Sequence, residues 1–320
     1  MIGWDDFLIA DPVDWLLEED NPSVRYLALR TLLDRPEDDV RVVKARRAIM
    51  QSGPVPVILA AQHEDGYWVK PGAGYSPKYR GTVWQIIFLA DLEADGADPR
   101  VARGCEYLLN NSRTESGAFS AYQALVARGA VDCLNGNLIY ALQHLGWGQD
   151  QRVCLALQRL SESVLTNGFE CFANAKLPCA WGAVKALRAL TAAPREERSA
   201  GVTAAIGKAA EFLLSRDLAV ADYPCEGKVS AAWTKFGFPL GYHSNVLEAL
   251  QTLAEAGHGA DPQLTHALRL TIAKQDSFAR WKMEASLNGK MWADIEAKGK
   301  PSKWVTLQVI RVIKRVFEGY

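Results

Sequence analysis

The sequence predicts an all-α protein, an α/α toroid in which an inner ring of helices is wrapped by an outer one. Three observations predict it. A helix-ending, helix-starting connection recurs at near-regular spacing, apolar and amphipathic helical segments alternate, and no period-two strand pattern is present. The connections are Asp95-Gly-Ala-Asp98-Pro-Arg, Gly146-Trp-Gly-Gln-Asp150, Ala193-Pro-Arg-Glu-Glu-Arg-Ser199 and Gly257-His-Gly-Ala-Asp261-Pro. Gly96, Gly146 and Gly257 supply the left-handed residue that closes a helix. Asp98, Asp150, Ser199 and Asp261 offer an oxygen to the orphan amides of the next helix, with Pro99 and Pro262 at its first position. The caps step by 52, 49 and 62 residues, the period of a helical pair.

Segments 82–94, 134–146, 180–193, 241–257 and 303–317 are apolar over much of their circumference, which predicts burial in an inner ring. Segments 98–111, 150–165, 199–216 and 261–275 carry charge on one side and belong outside. Residues 22–34, opened by Asn21-Pro22, make a sixth inner helix, followed by an outer one near 37–51. Six inner helices close a ring with the last beside the first, giving a single domain over 1–320 in which 1–52 completes the circle. Because 22–34 also reads as a HEAT-type helix, an open solenoid is the structural alternative.

Composition narrows the class. The 320 residues carry a formal net charge of −1, which removes any whole-molecule argument for nucleic acid or an anionic membrane. No run reaches the ~18 apolar residues of a membrane span. The start, Met1-Ile-Gly-Trp-Asp-Asp, lacks the basic and apolar regions of a secretory signal, so a cytoplasmic location is expected. Six cysteines in a chain of this size read as reduced thiols.

A second element repeats in step with the helices. Leu59-Ala-Ala-Gln62-His-Glu-Asp-Gly66-Tyr-Trp68 is matched by Tyr107 to Gly117-Ala-Phe119, with worn copies at Leu160 to Gly168-Phe169 and at Ile272-Ala-Lys-Gln275 to Trp281. A helix ending in Gln followed by Asp-Gly-x-Trp resembles the QW repeat of squalene and oxidosqualene cyclases and of protein prenyltransferase β-subunits, over roughly 53–320. The resemblance implies a central cavity that takes a small, partly hydrophobic molecule. The proton-donating Asp-x-Asp-Asp motif of the cyclases is absent. Tyr242-His243 and Cys179 resemble the zinc-binding positions of prenyltransferases, but the partner acid is missing from Leu177-Pro-Cys179-Ala-Trp181, and a zinc site wants three or four ligands. The thiols and imidazole also resemble, in type, the cysteine, aspartate and histidine set of linalool dehydratase/isomerase. Gly-Lys-Pro-Ser-Lys at 299–303 lacks the spacing of a phosphate loop. No metal and no cofactor are expected.

Loop length locates the site. The outer-to-inner links, 64–81, 112–133, 166–179, 217–240 and 276–302, are long and share the face that carries the inner-helix N-termini. On that face, Cys133, Cys171, Cys179, Asp222, His243 and Asp294 are the candidates for proton transfer. Tyr67, Tyr79, Arg80, Trp84, Asn135, Trp181, Tyr242, Lys300 and Trp304 are expected to shape or charge the pocket, the basic ones for a polar or anionic group of the substrate. The expected function is a terpenoid-cyclase-like enzyme doing acid–base chemistry as a lyase, isomerase or cyclase. The alternatives are a non-catalytic helical-repeat binding module, and an α/α-barrel acting on carbohydrate. The last wants two carboxylates ~5–10 Å apart, for which Asp222 and Asp294 are the obvious pair.

Overall fold

Helices begin where the chain offers an oxygen to their first amides. In the computed structural model, which describes residues 3–225 and 230–318, the side chains of Asp98, Asp150, Ser199 and Asp261 accept from the N–H groups of Arg100, Arg152, Val202 and Gln263. Residues 226–229 of the rim loop 217–240, and the two residues at each end of the expected 1–320 domain, lie outside the described residues. The helices are α1 (Val13–Leu16), α2 (Pro22–Thr31), α3 (Val40–Ile49), α4 (Pro54–Ala60), α5 (Thr82–Asp91), α6 (Pro99–Asn111), α7 (Asp132–Leu142), α8 (Gln151–Asn167), α9 (Ala180–Ala192), α10 (Ala200–Leu214), α11 (Val246–Leu253), α12 (Thr265–Ile272) and α13 (Lys303–Glu318). Among the described residues short 3-10 and π turns and isolated β-bridges accompany them, and no β-strand.

Helices α2, α5, α7, α9, α11 and α13 form the inner ring, and the amphipathic helices α3, α6, α8, α10 and α12 surround it. The ring closes. Ser23 at the start of α2 donates to the Leu92 carbonyl after α5 (2.7 Å), and Lys314 of α13 donates to the Thr31 and Leu32 carbonyls that end α2 (both 3.2 Å). An open solenoid would leave the first and last helices apart, so the toroid stands.

Two details depart from the sequence reading. Gly146 (φ 86°) and Gly257 (φ 97°) are left-handed as expected, but after α5 the left-handed residue is Glu93 (φ 63°). Gly96 is instead required by a close approach: a Cβ there would meet the Leu145 carbonyl oxygen at 2.1 Å. The inner helix expected from 241 starts only at Val246, because the Asn245 side chain accepts from Glu248 N–H (2.9 Å) and caps the helix there. Tyr242 and His243 therefore sit in the extended segment that leads into α11.

The recurrent aromatic turn ties each outer layer to an inner helix start. Gln62 donates to the carbonyls of Gly66 (3.1 Å) and Arg100 (2.9 Å), and the fully buried Trp68 donates from its indole to Ile58 (2.8 Å). The backbone N–H of Trp68 then donates to the Thr82 hydroxyl that opens α5 (3.1 Å). Phe119 N–H does the same to Asn135 of α7 (2.8 Å), and Trp281 N–H to Thr306 of α13 (2.9 Å). Three turns share one backbone: Gly66, Gly117 and Ala279 have φ of 99°, 94° and 52°, and each donates to the carbonyl three residues back. The copy at 272–281 is thus as complete as the first two. The copy ending at Gly168-Phe169 departs from this pattern and continues into a bridge between Glu170 and Pro178.

Ala279 occupies a conformation that costs an L-residue with a Cβ about 1–2 kcal/mol. Ala279→Gly is therefore expected to raise stability by about 0.5–1 kcal/mol, the gain in φ freedom being partly offset by unfolded-chain entropy. Gly66→Ala should lower it by more than that, since the new Cβ would lie 2.6 Å from the Arg103 carbonyl oxygen. Denaturant melts of the two variants check both signs.

Candidate functional site: thiols at the mouth of the ring

The site is built where two inner helices start. Helix α7 opens with Asp132-Cys133, and α9 is preceded by Cys179. Between α8 and α9 the chain folds on itself: Cys179 N–H donates to Phe169 O (2.9 Å) and Cys171 N–H to Leu177 O (3.2 Å), around the Glu170–Pro178 bridge. Residues 171 and 179 are thereby on the same face of a narrow ribbon. There the two thiols are close enough that each shifts the acidity of the other. Together with Cys133 and Cys225 they line a cavity of about 310 Å³, walled by Trp181, Tyr223, Trp233 and Tyr242.

The two thiols are driven apart in acidity. The interaction with Cys179, helped by the backbone N–H groups of Ala173 and Asn174, lowers Cys171 to about 6 against its burial. The interaction with Cys171, then burial, pushes Cys179 up, so Cys171 is the more acidic of the pair. Burial pushes the Cys133 thiol up to about 12. Burial likewise pushes the Asp132 carboxyl up to about 6, although it accepts the Ser163 hydroxyl (2.9 Å). Gly182 keeps this corner open: a Cβ there would stand 3.5 Å from Asp132 Cβ and 3.7 Å from Cys179 Cβ. His243 lies beside the cavity, its ring edge-on to Trp181 (4.6 Å) and against Tyr242 (3.9 Å). Burial, then the charges of Lys78, Lys185 and Lys290, lower it to about 4, which makes it a neutral imidazole at pH 7. Lys78 Nζ stands 3.6 Å over the Tyr242 ring.

The structure brings together some of the sequence candidates and separates others. Cys133, Cys171, Cys179, Trp181 and Tyr242 line the thiol cavity, with His243 adjoining. Tyr79 and Trp84 are buried behind Tyr242, and the Trp84 indole donates to Tyr75 O (2.7 Å). Asn135 spends both amide ends on Phe119 and Val131. Tyr67 stacks on His63 (4.4 Å) in the first aromatic turn. The Arg80 guanidinium lies over Trp292 (5.3 Å) and donates to Lys290 O. Lys300 is exposed, and Trp304 stacks on Phe238 at 3.8 Å. Asp222 is exposed, 3.9 Å from Arg216, while Asp294 accepts from Gly289 N–H (2.7 Å) as a loop cap. Neither carboxylate lines the thiol cavity. A carboxyl group that does act on the thiols Cys133 and Cys171 is Asp132, overlooked because an acidic first helical residue reads as a dipole partner; its adjacency to Cys133 was the available signal. Cys225 was also missed, although it lies in rim loop 217–240 with the cavity-lining aromatics Tyr223 and Trp233. Among the described residues no three His, Cys, Asp or Glu side chains converge as a metal site would require.

Comparison with known proteins bears on the fold. The sequence matches no family model and no curated protein. Among solved structures, an unsaturated glucuronyl hydrolase specific for heparin aligns over 97% of this chain and 87% of its own, at 11% identity and a TM-score of 0.53. The shared fold is the α/α toroid. A cellobiose 2-epimerase from Bacillus thermoamylovorans B4167 (10% identity, 72% and 70% covered, TM-score 0.45) and a type II terpene cyclase from Scytonema (10%, 87% and 99%, 0.32) also align. Among the described residues no helix is long and apolar enough to cross a membrane.

The thiol pair makes a prediction. Alkylation of Cys171 by iodoacetamide, followed by mass spectrometry, should rise with pH through a midpoint near 6 and then level, because the thiolate is the reacting form. Removing the neighbouring thiol in Cys179→Ala should move the midpoint up toward the ~8.5 of an ordinary thiol.

Proposed function

We propose that the chain is an enzyme, a single α/α-toroid domain whose thiol-lined mouth moves protons on a small, partly hydrophobic substrate as a lyase, isomerase or cyclase. The observation that carries the reading is the Cys171–Cys179 pair, one thiol made more acidic and its neighbour less, inside an aromatic-walled cavity of about 310 Å³. The Cys171 thiolate removes a proton from a substrate C–H, and the Cys179 thiol delivers one to the departing hydroxyl or to the neighbouring carbon. The proton now on Cys171 then returns to Cys179, which restores the pair. Positioned general acids and bases of this kind contribute typically ~10²–10⁴-fold. His243, held neutral, and the Asp132 carboxyl, raised to about 6, stand near the pair as groups through which its proton can exchange. Lys78 and Lys290, which depress His243, place positive charge at the mouth where an acidic substrate group would sit. Trp181, Tyr223 and Trp233 accept the apolar part.

The alternative, an α/α-barrel acting on carbohydrate, fits the shared fold as well, since an unsaturated glucuronyl hydrolase has it too; the two carboxylates it was expected to use, Asp222 and Asp294, do not line this cavity. Incubating the protein with a metabolite extract and following consumption by mass spectrometry tests the reading. A compound is expected to be consumed with no change in mass or with gain or loss of one water, and Cys171→Ser, Cys179→Ala and His243→Ala should each cut the rate by about two orders of magnitude or more at an unchanged melting temperature. Cleavage of a glycosidic bond, or full activity in the cysteine variants, would sink the proposal.

A further inference from the structure

Deep in the ring, the inner helices close on charged side chains instead of apolar ones. Lys185 of α9 and Glu248 of α11 pair at 2.7 Å with 2% and 10% of their side chains exposed. Arg188 of α9 reaches Glu248 (3.4 Å) and Asp91 of α5 (3.0 Å), and its guanidinium stacks 3.6 Å from the Tyr140 ring of α7. Burying each charge costs several kcal/mol that pairing only repays when every lone pair and proton is used, and an apolar core would hold the ring at least as well. Two groups in this cluster are left unused. Glu248 Oε2 is buried with no hydrogen-bond partner among the described residues. Arg311 of α13 lines the same cavity, of about 60 Å³, and has no ion pair or hydrogen bond among the described residues.

The carboxylates around Arg311 are engaged elsewhere. Glu93 holds His144 (3.0 Å), Asp34 holds Lys314, and Glu255 accepts from the Gln251 amide (3.0 Å). Gln251 and Arg311 also line a second cavity, of about 270 Å³, between Thr31 at the end of α2 and Ala254 at the end of α11. These are the C-terminal ends of inner helices, so this cavity lies on the face opposite the thiols. One helical turn beyond Arg311, Arg315 also lines this outer cavity and has its Nε buried without a partner among the described residues.

We propose that this axial pocket is a second small-molecule site, separate from the thiol cavity, which binds a small carboxylate that also bears a hydrogen-bond donor, of the amino-acid or hydroxy-acid class. The carboxylate takes the two parallel donors of the Arg311 guanidinium, the geometry in which arginine binds carboxylates most firmly. The ammonium or hydroxyl group donates to Glu248 Oε2, completing its buried carboxylate. Gln251 lines both cavities as a neutral partner for the rest of the ligand.

The test uses three molecules of one size, L-alanine, L-lactate and propionate, titrated into the full chain by calorimetry and ligand-observed NMR. Saturable binding of alanine or lactate is expected, with propionate at least about tenfold weaker for lack of the donor. Arg311→Gln should weaken binding by about tenfold or more while leaving the melting temperature of the ligand-free protein unchanged, since Arg311 has no partner to lose. Cys171→Ser should bind with wild-type affinity, which separates this site from the thiol chemistry. Failure of both alanine and lactate to saturate, propionate binding as well as they do, indifference to Arg311→Gln, or a melting temperature lowered by that substitution alone would each overturn the proposal.

Discussion

The rest of the structure depends on one hydrogen bond made three times: the backbone N–H of a buried aromatic, Trp68, Phe119 or Trp281, donating to a side-chain oxygen in the first turns of an inner helix. The aromatic anchors the turn to the outer layer, and the amide ties the turn to Thr82, Asn135 or Thr306. The inner helices α5, α7 and α13 therefore cannot rotate about their axes or slide along them without breaking a buried polar contact, which is costly to leave unmade. That constraint is what makes a ring of helices a platform for chemistry. It sets the level at which the helices begin and so where the rim side chains are held.

The thiols exploit one departure from that repeat. At the start of α9 the aromatic turn is replaced by a short ribbon, and its bridge at Glu170 and Pro178 brings Cys171 over Cys179. Neither sulfur alone would be unusual. A thiol in an apolar pocket is held in its neutral form by desolvation, as Cys133 and Cys105 are. The interaction between the pair reverses that outcome for Cys171 at the expense of Cys179, so the two thiols differ in acidity. The Cys171 partner amides of Ala173 and Asn174 belong to the same short turn, so acidity and position come from one piece of backbone.

The two ends of the ring are physically different. The mouth carries inner-helix N-termini, long loops, aromatic walls and the charges of Lys78 and Lys290. The opposite end carries helix C-termini and short loops, and between the two ends lies a cluster of buried ions around Lys185, Arg188, Asp91 and Glu248. Phe238 and Trp304 stack on one another beside the buried ions, and Tyr79 and Trp84 are buried behind Tyr242.

Periodicity, caps and turn residues are local, and the sequence determined them: the alternation of inner and outer helices, the capping roles of Asp98, Asp150, Ser199 and Asp261, the left-handed Gly146 and Gly257, and the face on which the long loops gather. Cys133, Cys171, Cys179, Trp181, Tyr242 and His243 were legible as rim residues for the same reason, since each stands just before or within the first turn of an inner helix or in the loop that leads to one. Which of them meet was decided by the tertiary structure alone. The side chains that meet belong to loops separated by tens of residues, whose paths depend on packing that no local pattern encodes. Asp132 was hidden behind an ordinary helix-start role, while Asp222 and Asp294 looked catalytic until their loops turned them to solvent and to a loop amide. Lys185 and Glu248 lie sixty-three residues apart inside apolar segments, and only closure of the ring brings those charges face to face.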